Sequence, residues 1–202
     1  IECRIDMSMT SLNGRRINNP DQKSVAYVAM HGIPHQNIDS VDRFLAPYRE
    51  KRNIRNRKMC ENISEIVRPY GFKLDFDTDV LPISNYAAGG SVTERHILFA
   101  LAKKITARYK TPDEVLSFLE NEMKISISPK LRGFIAEGEQ TPNFYEYDIL
   151  GVLKSDLVEK FYIPATDECP EAPDFIKMVH DNGGIAAYAY LGDVGNSVTG
   201  DK

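Results

Sequence analysis

Ser91-Val-Thr-Glu-Arg-His-Ile-Leu-Phe-Ala-Leu-Ala-Lys-Lys-Ile-Thr-Ala-Arg-Tyr-Lys-Thr-Pro-Asp-Glu114 carries two helix starts in one stretch. Ser91 stands three residues ahead of Glu94 and Thr111 three ahead of Glu114, the spacing at which a hydroxyl and a carboxylate satisfy each other's backbone N–H groups. Pro112 falls at the first helical position, where its missing N–H costs nothing. Between the two starts Ile97, Leu98, Leu101 and Ile105 recur at the helical period, so the stretch predicts a helical subdomain.

Toward the N-terminus, Val41, Phe44, Leu45, Tyr48, Ile54, Met59, Ile63, Ile66 and Val67 form a broken helical stripe. It begins after Ser40 as N-cap, is sharpened or kinked by Pro47, and ends near Pro69-Tyr-Gly71. Toward the C-terminus, residues 144–161 place Ile149, Leu150, Val152, Leu153, Leu157 and Val158 at helical spacing, which predicts the last helix of the block.

The flanks read differently. Ile1, Cys3, Ile5, Met7 and Met9 alternate with Glu2, Arg4, Asp6 and Ser8, the period of a strand with one apolar face. Asn13-Gly14 and Asn18-Asn-Pro20 mark the following segment as a loop or long hairpin connection. A second strand, largely buried, is expected over 24–30, ended by His31-Gly-Ile-Pro34. After a loop at 164–173 that holds Cys169, a short helix runs over 173–181, stops at Asn182-Gly-Gly184 and leads to a buried strand over 185–191.

Strands on both sides of a helical block would be orphans with exposed edges if the chain were two sequential domains. The expected fold class is therefore α/β, with residues 1–38 and 164–202 as the α/β part and 39–163 as an α-helical insertion. The chain opens inside a strand alternation without a leader pattern and stops after a polar stretch, so chain is expected to continue at both ends.

With 202 residues, 42% hydrophobic and 27% charged, the composition is that of an ordinary folded domain and excludes a disordered chain. The longest apolar runs fall short of the ~20 residues a spanning helix needs. Three widely spaced cysteines fit neither a disulfide framework nor a zinc knuckle, so a cytoplasmic location is expected. A net charge of -4 gives no global pull toward nucleic acid. One segment is strongly basic: Arg49, Lys51, Arg52, Arg55, Arg57 and Lys58 are set against Glu50.

No Gly-x-Ser-x-Gly elbow, phosphate-cradling Gly-x-x-x-x-Gly-Lys loop or Cys-x-x-Cys pair is present. Gly192-Asp-Val-Gly-Asn196 has oxygen ligands but not the calcium-loop pattern. His31 and His35 are separated by Pro34 in a turn, which favours a surface role over a shared ion. His180 suits the C-terminal dipole of its helix.

Five short pieces fall in a telling order. They are Ile1-Glu-Cys3, Ala26-Tyr-Val-Ala-Met-His-Gly-Ile33, the arginine-rich Tyr48–Lys58, Ser91-Val-Thr-Glu-Arg-His96 with Leu98-Phe-Ala-Leu101, and Val179-His-Asp-Asn-Gly-Gly-Ile-Ala-Ala-Tyr-Ala-Tyr-Leu191. In that order they resemble the PHP (polymerase and histidinol phosphatase) phosphoesterases that carry a helical insertion. The resemblance implies part of a distorted (β/α) barrel, and hydrolysis of a small phosphorylated molecule or nucleotide by water activated on divalent metals (Mg, Mn or Zn). It puts Glu2 at a metal-ligand position and makes Arg52, Arg55, Arg95 and His96 candidate substrate phosphate contacts. Tyr27 and Tyr190 stand where the family has histidines, and its flanking His-x-His and Asp-x-His elements are absent from these residues. Two alternatives stand beside this one: a PHP scaffold that has lost catalysis and kept a binding or regulatory role, and a helical nucleic-acid module built on residues 49–58.

Overall fold

The computed structural model describes residues 1–20, 22–138 and 144–190 and divides the chain into two compact units, 1–52 with 164–202, and 53–163. The oxygen-rich turn at 192–196 and Leu191 lie outside the described residues.

In the first unit the opening alternation becomes strand β1 (Glu2–Asp6), antiparallel to β2 (Val25–His31) in a register running from Glu2 opposite Ala29 to Asp6 opposite Val25. The 7–24 connection is stitched shut: Met7 N–H donates to the Ser24 carbonyl at 2.8 Å, and the Asp6 carboxylate takes Ser8 N–H at 2.8 Å. After helix α6 (Ala172–Asp181), Gly183 turns at φ 75° into β3 (Ile185–Tyr188), antiparallel to β2.

Where β3 ends, a side chain continues the ladder. Asn18 is fully buried; its Nδ2 donates to the carbonyls of Tyr27 (2.8 Å) and Ala189 (2.7 Å), and its Oδ1 accepts from Tyr27 N–H at 2.8 Å. An unpaired strand edge in the interior would cost free energy, and the amide removes that cost. On the core face Ile5, Ala26, Val28 and Met30 pack with Phe175 and Val179 of α6. Each large side chain so buried contributes on the order of 1.5–3 kcal/mol.

Helix α1 (Ile38–Val67) accommodates Pro47 without ending, and the passage from the first unit to the second falls inside it. The second unit consists of the rest of α1, α2 (Glu94–Arg108), α3 (Pro112–Ser117), α4 (Pro129–Ala136) and α5 (Tyr145–Phe161), with single helical turns between α1 and α2 and after α3. Met59, Ile63, Ile97, Leu101, Ile105, Ile149 and Leu153 form its core. Phe118 adds an aromatic knot, stacked on Tyr109 at 4.7 Å between centroids and tilted against Phe72 at 5.4 Å.

The fold-class expectation is overturned. The described residues are helix-dominated, 59% helical, and hold one three-stranded antiparallel sheet, so this is neither α/β nor part of a (β/α) barrel. A barrel needs parallel strands joined by helical crossovers, whereas β2 and β3, with nearly the whole helical content between them, run antiparallel. Period-2 alternation identifies a strand but carries no information on its direction in a sheet.

Smaller corrections have local causes. The last strand lies at the sheet edge, with Ile185 66% exposed, where its apolar run reads as buried. Helix α2 is capped by Thr93 instead of Ser91, which makes Glu94 its first residue and puts His96 in the carboxylate's place. At α3 the capping box forms as read, Thr111 with Glu114 and Pro112 in the first turn. Helix α4 has no expectation in the sequence reading; its eight residues are too few to show a period.

Candidate functional site

Glu2 is the first residue of β1 and lies opposite Ala29, so the two share a face of the sheet. Side chains alternate along β2, which puts Tyr27 and His31, two residues to either side of Ala29, on that same face. Cys3, Ile5, Ala26, Val28 and Met30 take the other face, toward the core. Glu2 and His31 are both exposed and stand as diagonal cross-strand neighbours, about 7–8 Å apart. That separation lets a carboxylate and an imidazole approach one ion at ligand distances of about 2.0–2.2 Å.

The remainder of this face is occupied. Tyr27 is half-buried, with the Arg4 guanidinium 5.7 Å from its ring centroid. Val25 packs with Ala165 and Cys169. Beside Cys169 lie Arg52 and the buried Glu168, whose Nε and Oε1 are 3.7 Å apart. Burial above all, and then the Glu168 charge, push the Cys169 thiol up to about 11 against the fields of Arg4 and Arg52.

Of the residues singled out by the PHP resemblance, Glu2 and Arg52 belong to the first unit, and Arg55, Arg95 and His96 to the second. Arg55 donates from Nη1 to the Ile163 carbonyl at 2.6 Å and lies over Tyr162, 5.5 Å from its centroid. Arg95 is exposed on the first turn of α2. The adjacent His96 is half-buried, and its Nδ1 accepts the Thr93 N–H at 3.0 Å. Desolvation lowers its pKa, outweighing the Glu94 charge, and a ring nitrogen that accepts an N–H is unprotonated, so the neutral ring is the one that caps. Tyr190 is exposed beyond the end of β3.

The basic run of α1 is largely tied down. Arg49 pairs with Asp42 at 2.8 Å, Arg52 with Glu168, and Arg57 with Asp77, Nη2 to Oδ1 being 2.6 Å. Lys51 covers the Tyr48 ring at 5.6 Å.

The clefts among the described residues include two of about 420 Å3 each. Asp6, Tyr48, Lys51 and Glu171 help line one; Cys60, Phe72 and Lys73 the other. Neither is lined by Glu2, Arg52, Arg55, Arg95 or His96. No three His, Cys, Asp or Glu side chains converge among the described residues, so these alone do not fit a metal cluster.

His31 gains interest only through the sheet register, which a sequence does not show. Asn18 and Glu168 carry no signal either, one sitting in an Asn-Asn-Pro turn and the other in a polar loop. No helix among the described residues is long and apolar enough to cross a membrane. The chain matches no family model, no curated protein and no solved structure.

Proposed function

We propose that this chain contributes to a PHP-like metal-dependent phosphoesterase acting on a small phosphorylated molecule or nucleotide, with Glu2 among its metal-binding groups. The order of the sequence pieces motivates this reading, and the placement of Glu2 and His31 on one face of the sheet carries it. A carboxylate and an imidazole are ligands suited to the divalent ions of phosphoryl chemistry, but two donors do not make such a centre, and further donors are needed.

These residues alone are expected to be inactive, so the test is hydrolysis of p-nitrophenyl phosphate, with added Mn or Zn, by the full-length protein that brings those further donors, beside its Glu2→Gln variant. The reading expects metal-dependent turnover, cut by at least the ~10–100-fold that even outer partners of a metal site cost. Turnover indifferent to Glu2, or to metal, overturns it.

One observation favours the second reading, a scaffold that has lost catalysis and binds phosphorylated ligands. Tyr27, at the position of a family histidine, has its N–H and carbonyl fixed by Asn18 and its ring beneath Arg4, and a neutral phenol is a poorer metal ligand than an imidazole. Ligand binding without hydrolysis is its signature. The nucleic-acid reading is not carried forward, because Arg49, Arg52 and Arg57 already answer to carboxylates and Arg55 to a carbonyl.

A further inference from the structure

We propose that the Thr93–His96 cap is an acid-sensitive latch on helix α2, whose release by protonation of the His96 ring loosens the Val92–Thr93 segment from α1. The geometry requires one protonation state. Thr93 N–H points at His96 Nδ1 from 3.0 Å, and Thr93 Oγ1 lies 3.2 Å from the same nitrogen. Nδ1 accepts only when it carries no hydrogen, so the neutral ring keeps its proton on Nε2. Protonation turns Nδ1 into a donor that the Thr93 hydroxyl oxygen can take but the Thr93 N–H cannot, so the backbone cap is lost, and it sets a positive charge on the first turn of a helix whose dipole disfavours it.

An ordinary capping box has Glu or Gln at this position. A glutamate stays an acceptor down to about pH 4, whereas an imidazole fails two units higher, so the identity of residue 96 sets where the cap gives way. The ring is half-buried, and that burial opposes its charged form, so release comes below the ordinary histidine range.

What the latch holds lies one residue earlier. The Val92 carbonyl accepts from Nδ2 of Asn56 on α1 at 2.9 Å, and both residues are fully buried in the helical unit. Asn56 Oδ1 is buried without a hydrogen-bond partner, so the amide leans on the Val92 bond. Loss of the cap frees the chain that positions this carbonyl.

Charges around the ring do not cancel the effect. Glu94, on its own helix, favours the cation but is outweighed by burial. Asp79, on the tight turn at 76–80, pairs with Lys104, and Glu146 of α5 pairs with Lys103, both about two turns along α2 from the ring. To this end of α2, α1 presents the neutral Asn56 amide.

Two nuclear magnetic resonance measurements on the whole protein test the latch. Nitrogen shifts of the His96 ring at pH 7.5 are expected to report the Nε2–H tautomer; an Nδ1–H tautomer overturns the proposal. Thr93 amide exchange, corrected for intrinsic rate, is expected to rise about tenfold toward pH 5, in step with the ring's own titration. His96→Glu is expected to keep Thr93 protected at pH 5, and His96→Gln to remove the pH response while remaining folded. A wild-type Thr93 amide indifferent to the ring's titration, or a pH response that survives in either variant, overturns it.

Discussion

Arg55 donates from Nη1 to the carbonyl oxygen of Ile163 across 2.6 Å, joining the α1 segment of the helical unit to the residue that ends that unit. The carbonyl lies two residues past the end of α5, and the guanidinium also covers Tyr162. Arg55→Ala is therefore expected to cost the helical unit about 1.5–3 kcal/mol, the range of a charge-assisted hydrogen bond, in urea unfolding. Inorganic phosphate affinity is expected to stay unchanged. A phosphate contact would behave the opposite way, with affinity falling and stability intact.

Thr111→Ala tests the cap that the sequence reading placed correctly. Thr111 Oγ1 accepts the Glu114 N–H, and the Glu114 carboxylate takes Thr111 N–H at 3.1 Å and Lys110 N–H at 2.7 Å. Removing the hydroxyl is expected to cost about 1 kcal/mol, read as a lower urea midpoint with an unchanged slope.

The legible features are those whose cause lies within a few residues. Thr111, Pro112 and Glu114 specify a helix start among themselves, and Cys3 and Ile5 of β1 declare a strand face by spacing alone. Sheet direction, strand register and edge position are settled by residues far apart in the chain. For that reason β3 reads as buried, the barrel expectation fails, and the shared face of Glu2 and His31 stays hidden. The arginines of α1 teach the same lesson about sites. Helical spacing groups Arg52 with Arg55, yet their partners, Glu168 and the Ile163 carbonyl, come from more than a hundred residues away.

Asn18→Ala is expected to destabilise the first unit by about 2–4 kcal/mol, because three hydrogen bonds go, the Tyr27 N–H and Ala189 carbonyl are stranded at a strand end, and the Tyr27 carbonyl keeps only the Ala189 N–H at 3.3 Å. Asn18→Asp keeps the acceptor but loses both Nδ2 donors. It is expected to fall between wild type and Ala at low pH, where the carboxyl is neutral, and to be worse near neutrality, where a charge is buried. Chemical unfolding of the three proteins at two pH values checks the order.

Acid sensitivity of the helical unit has a named contributor in Asp75. The N–H and hydroxyl of Thr78, together with Asp77 N–H, bond its carboxylate and lower its pKa. The folded value lies below the unfolded one, so the stabilisation is fully present above the unfolded value of about 4 and is lost as pH falls through the folded value. Asp75→Asn is expected to flatten the fall in melting temperature below about pH 4. A wild-type profile in the variant removes Asp75 from the account.

The cysteines give the last test, because their environments make the native thiols inert. Burial, followed by the charges of Asp75 and Asp79, pushes Cys60 up to about 12; Cys169 is pushed up to about 11, and Cys3 is raised by burial against the field of Arg52. At pH 8 the thiolate fraction is on the order of 1 in 10,000 for Cys60 and 1 in 1,000 for Cys169, and only the thiolate attacks. An aromatic disulfide reagent is therefore expected to label the native protein slowly at all three positions, and all three quickly in urea. Cys60→Ser separates the two units: it leaves native labelling unchanged and removes one equivalent after unfolding. Fast native labelling of Cys60 would mean that its cleft opens at a free energy well below that of global unfolding, and the urea dependence of the rate would report how much surface that opening exposes.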